Sequence, residues 1–413
     1  MSNLLNKARA KSIMKQAGVD ALVATSPENI TYLSDYEPGW LRIGPGAQTF
    51  GILPADSGIP LGLVLDSVEL FEWAERPGEI EDVIVFGAGP NKIYRYRGSN
   101  PILAPDDQRV FDLTMAREAA LDPFEALFES LRQRKLTDGV IGLEESHLTA
   151  DEWQRIVSGL PRARVVPGAA LFEQIRMVKT EVEIERLRRA AWIADQSIQA
   201  MFAAATEGMT ERELATLFNA KVVELGGSPR LVWVSAARRS AHPTTRASGY
   251  PIQNGDIIKI DTGCTHESYW ADVGRTKCLV GPTPQQERIY DSLYRGRMAA
   301  IQQARPGAFA SQIHDTLVQT VRDHGIPDFQ RQGSGHGIGL SMYDPPLIKP
   351  AGKDTTFGTG VEDTAIEVGM VMNIETAYYL VGDFGFIVED TFLIQPEGAV
   401  ALTQLDDSLF IPG

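Results

Sequence analysis

Five residues between positions 261 and 389 have side chains that could together bind metal ions. They are Asp261, Asp272, His336, Glu375 and Glu389. Three of the four carboxylates are expected where an apolar, β-like run ends, and a charged carboxylate buried there is costly unless it is paired or coordinates a metal. Four carboxylates and one imidazole suit two hard or borderline divalent ions such as Mn²⁺, Co²⁺ or Zn²⁺. The set predicts a metal site, whereas any one such residue alone would fit a core salt bridge.

The two aspartates are expected side by side on a β-hairpin. Residues 257–261 form an apolar run that ends in Asp261, and Gly263 with its polar neighbours predicts a turn before Asp272. Close carboxylates repel each other, and a divalent cation relieves that repulsion. Taken alone, an aspartate pair on a hairpin is more typical of the protein surface.

The histidine lies in a glycine-rich segment. Residues 333–340 place four glycines around His336, one of only six histidines in the chain. Glycine lets the backbone approach a bulky group closely or adopt a positive φ. A lone histidine is more often structural than a ligand, and the surrounding glycines favour the ligand interpretation.

The elements that must position these residues follow two patterns. Early in the chain, short apolar runs such as Ala21–Thr25 and Val140–Leu143 alternate with segments of helical periodicity. Alternating strands and helices are typical of an α/β domain. The pattern then changes, so we predict an N-terminal domain over residues 1–175 and a second domain over residues 176–413.

Helix starts in the second domain recur in a fixed order. Capping boxes begin at three threonines: Thr180, Thr210 and Thr283. Twice, the chain then has the order helix, turn, helix, glycine stop and β-like segments. This order predicts an internal duplication of about 100 residues, although two unrelated helical hairpins would produce the same pattern.

Composition disfavours several classes of partner. The formal net charge is −15, whereas nucleic-acid phosphates and anionic membranes attract clustered Lys and Arg. No stretch approaches about 18 apolar residues, so no membrane span is predicted. Cys264 and Cys278 are too few for a disulfide framework, and Met1–Gln16 lacks the apolar core of a signal peptide. These features favour a cytoplasmic protein.

With their flanking residues, the five candidate ligands resemble the pita-bread-fold metallohydrolases, which include Xaa-Pro dipeptidase (prolidase), aminopeptidase P, methionine aminopeptidase and creatinase. The matching motifs are the Asp-x-Gly spacing from Asp261 to Asp272, GHGIGL around His336, the strand before Glu375 and VEDT around Glu389. Further similarity covers Arg176–Arg188, where these catalytic domains begin, and Gly18–Leu33. The resemblance therefore spans nearly the whole chain.

The resemblance implies an α/β N-terminal domain of the creatinase/prolidase type and an α+β pita-bread catalytic domain with a pseudo-twofold repeat. Asp272 and Glu389 would bridge two divalent ions (Mn, Co, Zn or Fe). Asp261 would bind one ion, and His336 with Glu375 would bind the other. A water molecule between the ions, its pKa lowered, would attack the scissile carbonyl while Glu375 shuttles the proton. Family members of this two-domain kind are usually homodimers.

The resemblance also implies residues that meet the substrate. His242, in the segment Ser240–Arg246, matches a family histidine that steadies the tetrahedral intermediate, although a plain loop histidine would look alike. Arg246, in the same segment, is a candidate for substrate binding. Tyr343 stands where peptidases carry a second histidine, seven residues after the metal histidine, and a tyrosine can donate a hydrogen bond but carries no imidazolium charge. His242 and Tyr343 are therefore candidates for both catalysis and substrate binding.

Two departures from the peptidase pattern concern the substrate: Tyr343, and Thr376–Ala377 in place of Pro-Gly. Both are expected where substrate binds. Two enzyme functions stay open, a peptidase for Xaa-Pro substrates and a hydrolase or lyase for a small metabolite, either creatinase-like or acting on ectoine or dimethylsulfoniopropionate. A non-catalytic binding protein would be expected to have lost metal ligands, and none is missing.

Overall fold

The computed structural model describes residues 4–44, 48–75, 80, 82–87, 94, 96, 102–115, 122–352 and 363–409. The chain divides into two units, Met1–Arg176 and Met177–Gly413. Each unit has its own sheet and its own buried apolar residues. Within the described residues, no helix has both the length and the apolar character needed to cross a membrane.

The first unit is built on a six-stranded mixed sheet. Its strands are β1 (Ala21–Ala24), β2 (Phe50–Pro54), β3 (Gly62–Asp66), β4 (Val83–Phe86), β5 (Val140–Leu143) and β6 (Arg164–Pro167). Its helices are α1 (Lys7–Ala17), α2 (Pro27–Ser34), α3 (Gly39–Ile43), α4 (Leu70–Glu75), α5 (Pro105–Met115), α6 (Pro123–Gln133), α7 (Ala150–Gly159) and α8 (Ala169–Arg176). The order is β4-β3-β2-β1-β5-β6, with β1, β5 and β6 parallel and β2 antiparallel to both neighbours. The predicted α/β domain is confirmed.

The second unit is built on one large antiparallel sheet flanked by four long helices. The helices are α9 (Glu181–Ala204), α10 (Glu211–Glu224), α11 (Pro284–Gln303) and α12 (Ala310–Asp323). The strands are β7 (Ser228–Ala236), β8 (Ile257–His266), β9 (Tyr269–Cys278), β10 (Gly335–Gly337), β11 (Asp344–Leu347), β12 (Val371–Tyr379), β13 (Gly385–Gln395) and β14 (Gly398–Ala401). The strand order is β11-β10-β12-β13-β9-β8-β7, and β14 pairs with β13.

Three of these helices begin where capping boxes predict. Thr180, Thr210 and Thr283 precede α9, α10 and α11, and each hydroxyl accepts the amide proton of the residue three positions later. The Glu or Gln at that later position accepts the threonine amide proton in return. Such caps contribute about 1 kcal/mol each and set where the helices start.

The predicted duplication agrees with the order of strands in the sheet. α9 and α10 precede β7, β8 and β9, while α11 and α12 precede the set from β10 to β13. Across the sheet, β7-β8-β9 meets β13-β12-β10 at the β9–β13 pair. The two halves are thus arranged symmetrically about this pair, as a pseudo-twofold repeat requires.

The helices cover one face of the sheet. Successive strand residues point to opposite faces. On β8, Ile258 and Ile260 pack in one apolar core with α9 and α10, and on β12, Met372 and Ile374 pack in another with α11 and α12. Each such buried side chain contributes about 1.5–3 kcal/mol, and a one-residue slip would expose the whole set. Asp261, next to Ile260, therefore points to the opposite face.

The hairpin that carries the two aspartates is confirmed, but its predicted turn is wrong. β8 continues past Gly263, and the turn is at Glu267 and Ser268, whose φ angles are 44° and 69°. Gly263 pairs with Asp272 across the hairpin, and a Cβ on Gly263 would lie 2.6 Å from the carbonyl oxygen of Ala271. The glycine is needed for close backbone contact rather than for a turn.

Candidate metal centre and active site

Strand register brings three of the candidate carboxylates into one row across the sheet. Asp261 pairs with Gly274, Gly274 with Glu389, and Glu389 with Glu375. Paired residues on neighbouring strands point to the same face, and glycine leaves space in the middle of the row. The expectation that each carboxylate ends its strand is wrong, because β8, β12 and β13 all continue beyond them.

Asp272 and His336 reach the same face from the adjacent row of paired residues. Asp272 lies two residues before Gly274 on β9, and His336 pairs with Asn373, two residues before Glu375. The ligand atoms of Asp272, His336 and Glu389 all lie within 4.8 Å of one another. The Nε2 atom of His336 is 3.7 Å from Oδ2 of Asp272. All five candidate ligands therefore project from one face of the sheet.

His336 is oriented for metal binding through Nε2. Its Nδ1 atom lies 2.9 Å from the carbonyl oxygen of Gly337. A carbonyl can only accept, so Nδ1 carries the proton and Nε2 keeps its lone pair. Burial lowers the pKa of His336, which favours the neutral imidazole that a metal ligand requires.

The electrostatics of the cluster fit divalent cations. Burial, followed by repulsion from neighbouring carboxylates, raises the pKa of Asp272 and of Glu389 well above the usual range. The same causes raise the pKa of Asp261 to about 7. The Oδ1 atom of Asp272 is buried and has no hydrogen-bond partner among the residues that the structure describes. A divalent ion would supply the missing partner and remove the repulsion that otherwise favours protonation.

Two neighbouring polar residues orient these ligands, and sequence reasoning missed them. Asn373 donates a hydrogen bond through Nδ2 to Oε1 of Glu389 at 3.0 Å. Thr391 donates to Oδ1 of Asn373 at 2.7 Å, which fixes the amide with its nitrogen towards the glutamate. Both lie two residues from a candidate ligand on the same strand, so alternation along β12 and β13 was a signal that could have found them.

An ion-pair network on the helix side supports the junction between the two halves. Arg275 donates to the carbonyl oxygen of Glu389 at 2.7 Å and to Oδ1 of Asp390 at 2.6 Å. Arg297 of α11 pairs with the other oxygen of Asp390 at 2.6 Å. These contacts hold the backbone that carries Glu389, although none of these side chains points to the candidate metal centre.

A cavity of about 680 Å³ opens beside the candidate ligands. Asp261, His336 and Glu375 line it, together with Tyr343. The tyrosine is half exposed, and its ring centroid is 4.2 Å from that of His336. The structure thus places Tyr343 next to the candidate metal centre, where a substrate could contact it.

Arg331, which sequence reasoning missed, also lines this cavity. Its Nη2 atom is 2.9 Å from Oε1 of Glu375. No local motif marks this arginine, because it lies between α12 and β10 and approaches Glu375 only through the tertiary fold.

Only part of the segment that contains His242 lines the cavity. Pro243 and Thr244 line the cavity, whereas His242 and Arg246 are exposed and do not. The Nζ atom of buried Lys259 donates to the carbonyl oxygen of His242 at 2.5 Å, which anchors the segment. Roles for His242 and Arg246 in substrate binding stay predictions.

Only one of the two residues that replace Pro-Gly contributes to the cavity. Ala377 lines it, but Thr376 alternates to the helix side of β12 and is fully buried there. The expectation that Thr376 lies where substrate binds is wrong, because strand alternation carries it to the other face.

A buried polar cluster lies under the segment that carries Tyr343. Asp344, the next residue, pairs with Lys179 at 3.3 Å, and both side chains are almost completely buried. Glu183 accepts a hydrogen bond from the hydroxyl of Tyr269 at 3.1 Å and from the Thr180 amide at 2.8 Å. Burial raises the pKa of Glu183 to about 7, against the lowering effect of Lys179.

Glu183→Gln should therefore remove a pH-dependent part of the stability. A raised carboxyl pKa stabilises the folded state fully below the unfolded pKa of about 4.5, and this contribution is lost as pH rises to about 7. Over that interval, the wild type should lose about 3 kcal/mol of unfolding free energy more than the variant does. Urea unfolding between pH 4.5 and 8 measures the difference.

Glu213→Gln is the matched control, because Glu213 has the same capping role on α10 but is solvent-exposed. Its pKa is lowered by the bonds from Thr210, so its contribution is constant above the unfolded pKa. If the unfolding free energies of both variants follow that of the wild type equally over the whole pH range, the raised pKa assigned to Glu183 is wrong.

Comparison with known proteins agrees with the fold and the site. Residues 185–396 match the model of Metallopeptidase family M24, and residues 7–178 match the Creatinase/Prolidase N-terminal domain. An Xaa-Pro dipeptidase of Pyrococcus furiosus is 27% identical over 344 residues, which cover 79% of this chain and 94% of that protein. An Xaa-Pro dipeptidase of Lactobacillus delbrueckii subsp. lactis is 27% identical over 292 residues, or 70% of this chain and 77% of that protein.

Solved structures share the fold over nearly the whole chain. An X-Pro aminopeptidase from Thermotoga maritima superposes with a TM-score of 0.75 at 22% identity, covering 98% of this chain and 99% of that one. The prolidase from Pyrococcus horikoshii has a TM-score of 0.74 at 22% identity with the same coverage. Since the catalytic family model spans half of the chain and includes all five candidate ligands, the chain belongs to metallopeptidase family M24, a family of metal-dependent hydrolases with the pita-bread fold.

Proposed function

We propose that this protein is an Xaa-Pro dipeptidase with two divalent ions, Mn²⁺ or Co²⁺ in the first instance. The proposed ligands are Asp261, Asp272, His336, Glu375 and Glu389. The observation that carries the proposal is the convergence of these donors on one sheet face beside a cavity of about 680 Å³. The names of the two relatives above support Xaa-Pro dipeptides as the substrate class.

The chain's own residues have distinct roles in the proposed hydrolysis. Bound divalent ions would polarise the scissile carbonyl and lower the pKa of a water molecule. Glu375, which lines the cavity, would take a proton from the attacking water and deliver it to the leaving nitrogen as the C–N bond breaks. Arg331 holds one carboxylate oxygen of Glu375 in place at 2.9 Å, which limits the motion of the proton shuttle.

Tyr343 is proposed to stabilise the developing negative charge on the carbonyl oxygen. Burial raises the pKa of Tyr343, and a protonated phenol hydroxyl can donate a hydrogen bond. In this role it would replace the second histidine of the peptidase pattern.

Metal-free protein, prepared with a chelator and reloaded with Mn²⁺ or Co²⁺, tests the proposal. We expect two ions per chain by elemental analysis, and hydrolysis of Xaa-Pro dipeptides in preference to the matching Xaa-Ala dipeptides. Chelation should abolish the activity and reloading should restore it. Protein that holds two ions yet leaves every Xaa-Pro dipeptide intact would falsify the proposed specificity, and full activity with one ion would contradict the two-metal site.

A second candidate is a hydrolase or lyase for a small metabolite. Tyr343 at the cavity wall favours this candidate, because the peptidase pattern has a histidine at that position. The same loaded protein should then turn over ectoine, creatine or dimethylsulfoniopropionate rather than dipeptides, which a parallel assay decides.

A further inference from the structure

The ammonium group of Lys259 is buried behind the cavity wall. The residue is 1% exposed, and its side chain projects from the same face of β8 as that of Asp261, two residues later. Its Nζ atom donates to the carbonyl oxygen of His242 at 2.5 Å and to that of Pro243 at 3.2 Å. Within the described part of the chain, no carboxylate forms an ion pair with it. The charge therefore serves the backbone of a neighbouring segment rather than a counter-ion.

The same ammonium group contacts Tyr379. Nζ is 4.7 Å from the centroid of the tyrosine ring, a distance at which the ring face attracts a cation. Tyr379 lines the cavity, as do Pro243 and Thr244, whereas Lys259 does not. Lys259 thus connects two parts of the cavity wall, one on β12 and one in the segment Ser240–Arg246.

This segment is held at two further places. The hydroxyl of Ser240 accepts the amide proton of Gly385 at 2.9 Å. Just before the segment, Arg239 donates through Nε to both carboxylate oxygens of buried Glu211, at 3.0 Å each. The side chain of His242, by contrast, is exposed. An exposed imidazole on a backbone that buried polar groups hold in place is arranged to meet a ligand in a fixed position.

Stability alone does not account for a lysine at position 259. Burying an ammonium group without a counter-ion costs free energy, and methionine would bury a stem of similar length without that cost. Its loss would not leave the two carbonyl groups buried and unpaired. That of His242 also accepts a hydrogen bond from the Thr245 hydroxyl at 3.2 Å, and Pro243 is exposed. Placement of the segment explains the lysine better than folding does.

We propose that Lys259 is a positioning residue, which fixes His242 beside the cavity so that the imidazole meets the substrate. The inference rests on the proposed function and on the predicted contact of His242 with substrate. A displacement of about 1 Å in a group that acts on the reacting centre can slow a reaction about 100-fold. Lys259 acts only through the residues that it holds, because it does not line the cavity itself.

A double-mutant cycle with His242 tests the inference. Lys259→Met should lower kcat/KM for an Xaa-Pro dipeptide about 100-fold, mainly through kcat, and His242→Ala should have a similar effect. The combined variant should be no slower than His242→Ala, because the imidazole that Lys259 positions is then absent. Multiplication of the two effects, or wild-type activity in Lys259→Met, would overturn the inference.

A purely structural role would change other quantities. Metal-loaded Lys259→Met should hold as many divalent ions as the wild type and should unfold at an equal or higher urea concentration. Lys259→Arg keeps a positive charge and N–H donors, so it should recover part of the lost kcat. If the loss of activity instead parallels a loss of metal or of stability in both variants, Lys259 supports the fold rather than His242.

Lys277→Met is the matched control. Lys277 is also buried, and its Nζ atom donates to the carbonyl oxygen of Ser408 at 2.5 Å. It pairs with Ile258 across the hairpin and so points to the helix side of the sheet. Any effect of this variant on kcat/KM should multiply with that of His242→Ala, and the same coupling as for Lys259 would remove the specific role.

Hydrogen exchange measured by mass spectrometry provides a readout without substrate. In the metal-loaded protein, exchange across residues 237–248 should be faster in Lys259→Met than in the wild type and unchanged in Lys277→Met. Equal exchange in all three proteins would contradict the anchoring role. A wild type that hydrolyses no Xaa-Pro dipeptide contradicts the proposed function, and the exchange rates then still decide whether Lys259 holds the segment.

Discussion

Asp272→Asn is expected to abolish metal binding and to lower turnover about 1,000-fold or more. The ligand atoms of Asp272, His336 and Glu389 lie within 4.8 Å of one another, and Oδ1 of Asp272 has no hydrogen-bond partner in the described part of the chain. Asparagine keeps the shape but removes the charge that a divalent ion requires. Polarisation of the substrate by the metal is worth several kcal/mol, and each 1.36 kcal/mol is a factor of ten in rate.

Stability should change in opposite directions with and without metal. In the metal-free protein, Asp272→Asn should raise the unfolding free energy, because it removes one member of a buried, mutually repelling group. Metal at 100 times its dissociation constant should stabilise the wild type by about 2.7 kcal/mol and the variant not at all. Thermal unfolding, with and without Mn²⁺, measures both effects.

Asp390→Asn provides the contrast. Asp390 is also buried but points to the helix side, where it pairs with Arg275 and Arg297. Breaking such a pair should destabilise the protein by about 3–5 kcal/mol whether or not metal is present, while the gain on adding metal should remain. A variant of Asp272 that still gains stability from metal would show that this carboxylate is not a ligand.

Gly335→Ala is expected to cost about 3 kcal/mol and to weaken metal binding. Gly335 has a φ of 142°, and a Cβ on it would lie 2.0 Å from the carbonyl oxygen of Asn373. Alanine at this position would have an unfavourable backbone conformation. It would also clash with backbone atoms that have little room to move. Because β10 pairs with β12 at Gly335 and His336, any relief of the clash should displace the histidine from Asp272.

Gly333→Ala is the control for this substitution, since the nearest atom to its Cβ would be the Ile348 carbonyl oxygen at 3.5 Å. It should change stability by less than about 0.5 kcal/mol. Urea unfolding and metal titration of both variants provide the comparison. Equal behaviour of the two variants would mean that the close approach at Gly335 is easily relieved.

Local signals were sufficient to predict much of this protein. Capping boxes placed the starts of α9, α10 and α11, because the bonds that define a cap span only three residues. The same use of neighbouring residues alone gives a wrong prediction at Gly263. The local sequence predicts a turn there, although the glycine lies inside β8, opposite Asp272. A glycine required for close approach and one required for a turn look alike without the partner strand.

The sequence by itself determined which side chains are chemically able to bind metal, where helices begin, and the order of elements in each half. Only the tertiary structure decided that five donors from β8, β9, β10, β12 and β13 share one face. It also sent Thr376 to the opposite face and brought Arg331 to Glu375. The physical reason is that strand register and loop contacts depend on pairing partners more than one hundred residues away, as for Gly274 and Glu389. No local propensity specifies such pairs, whereas burial of the apolar face selects one register over its neighbours.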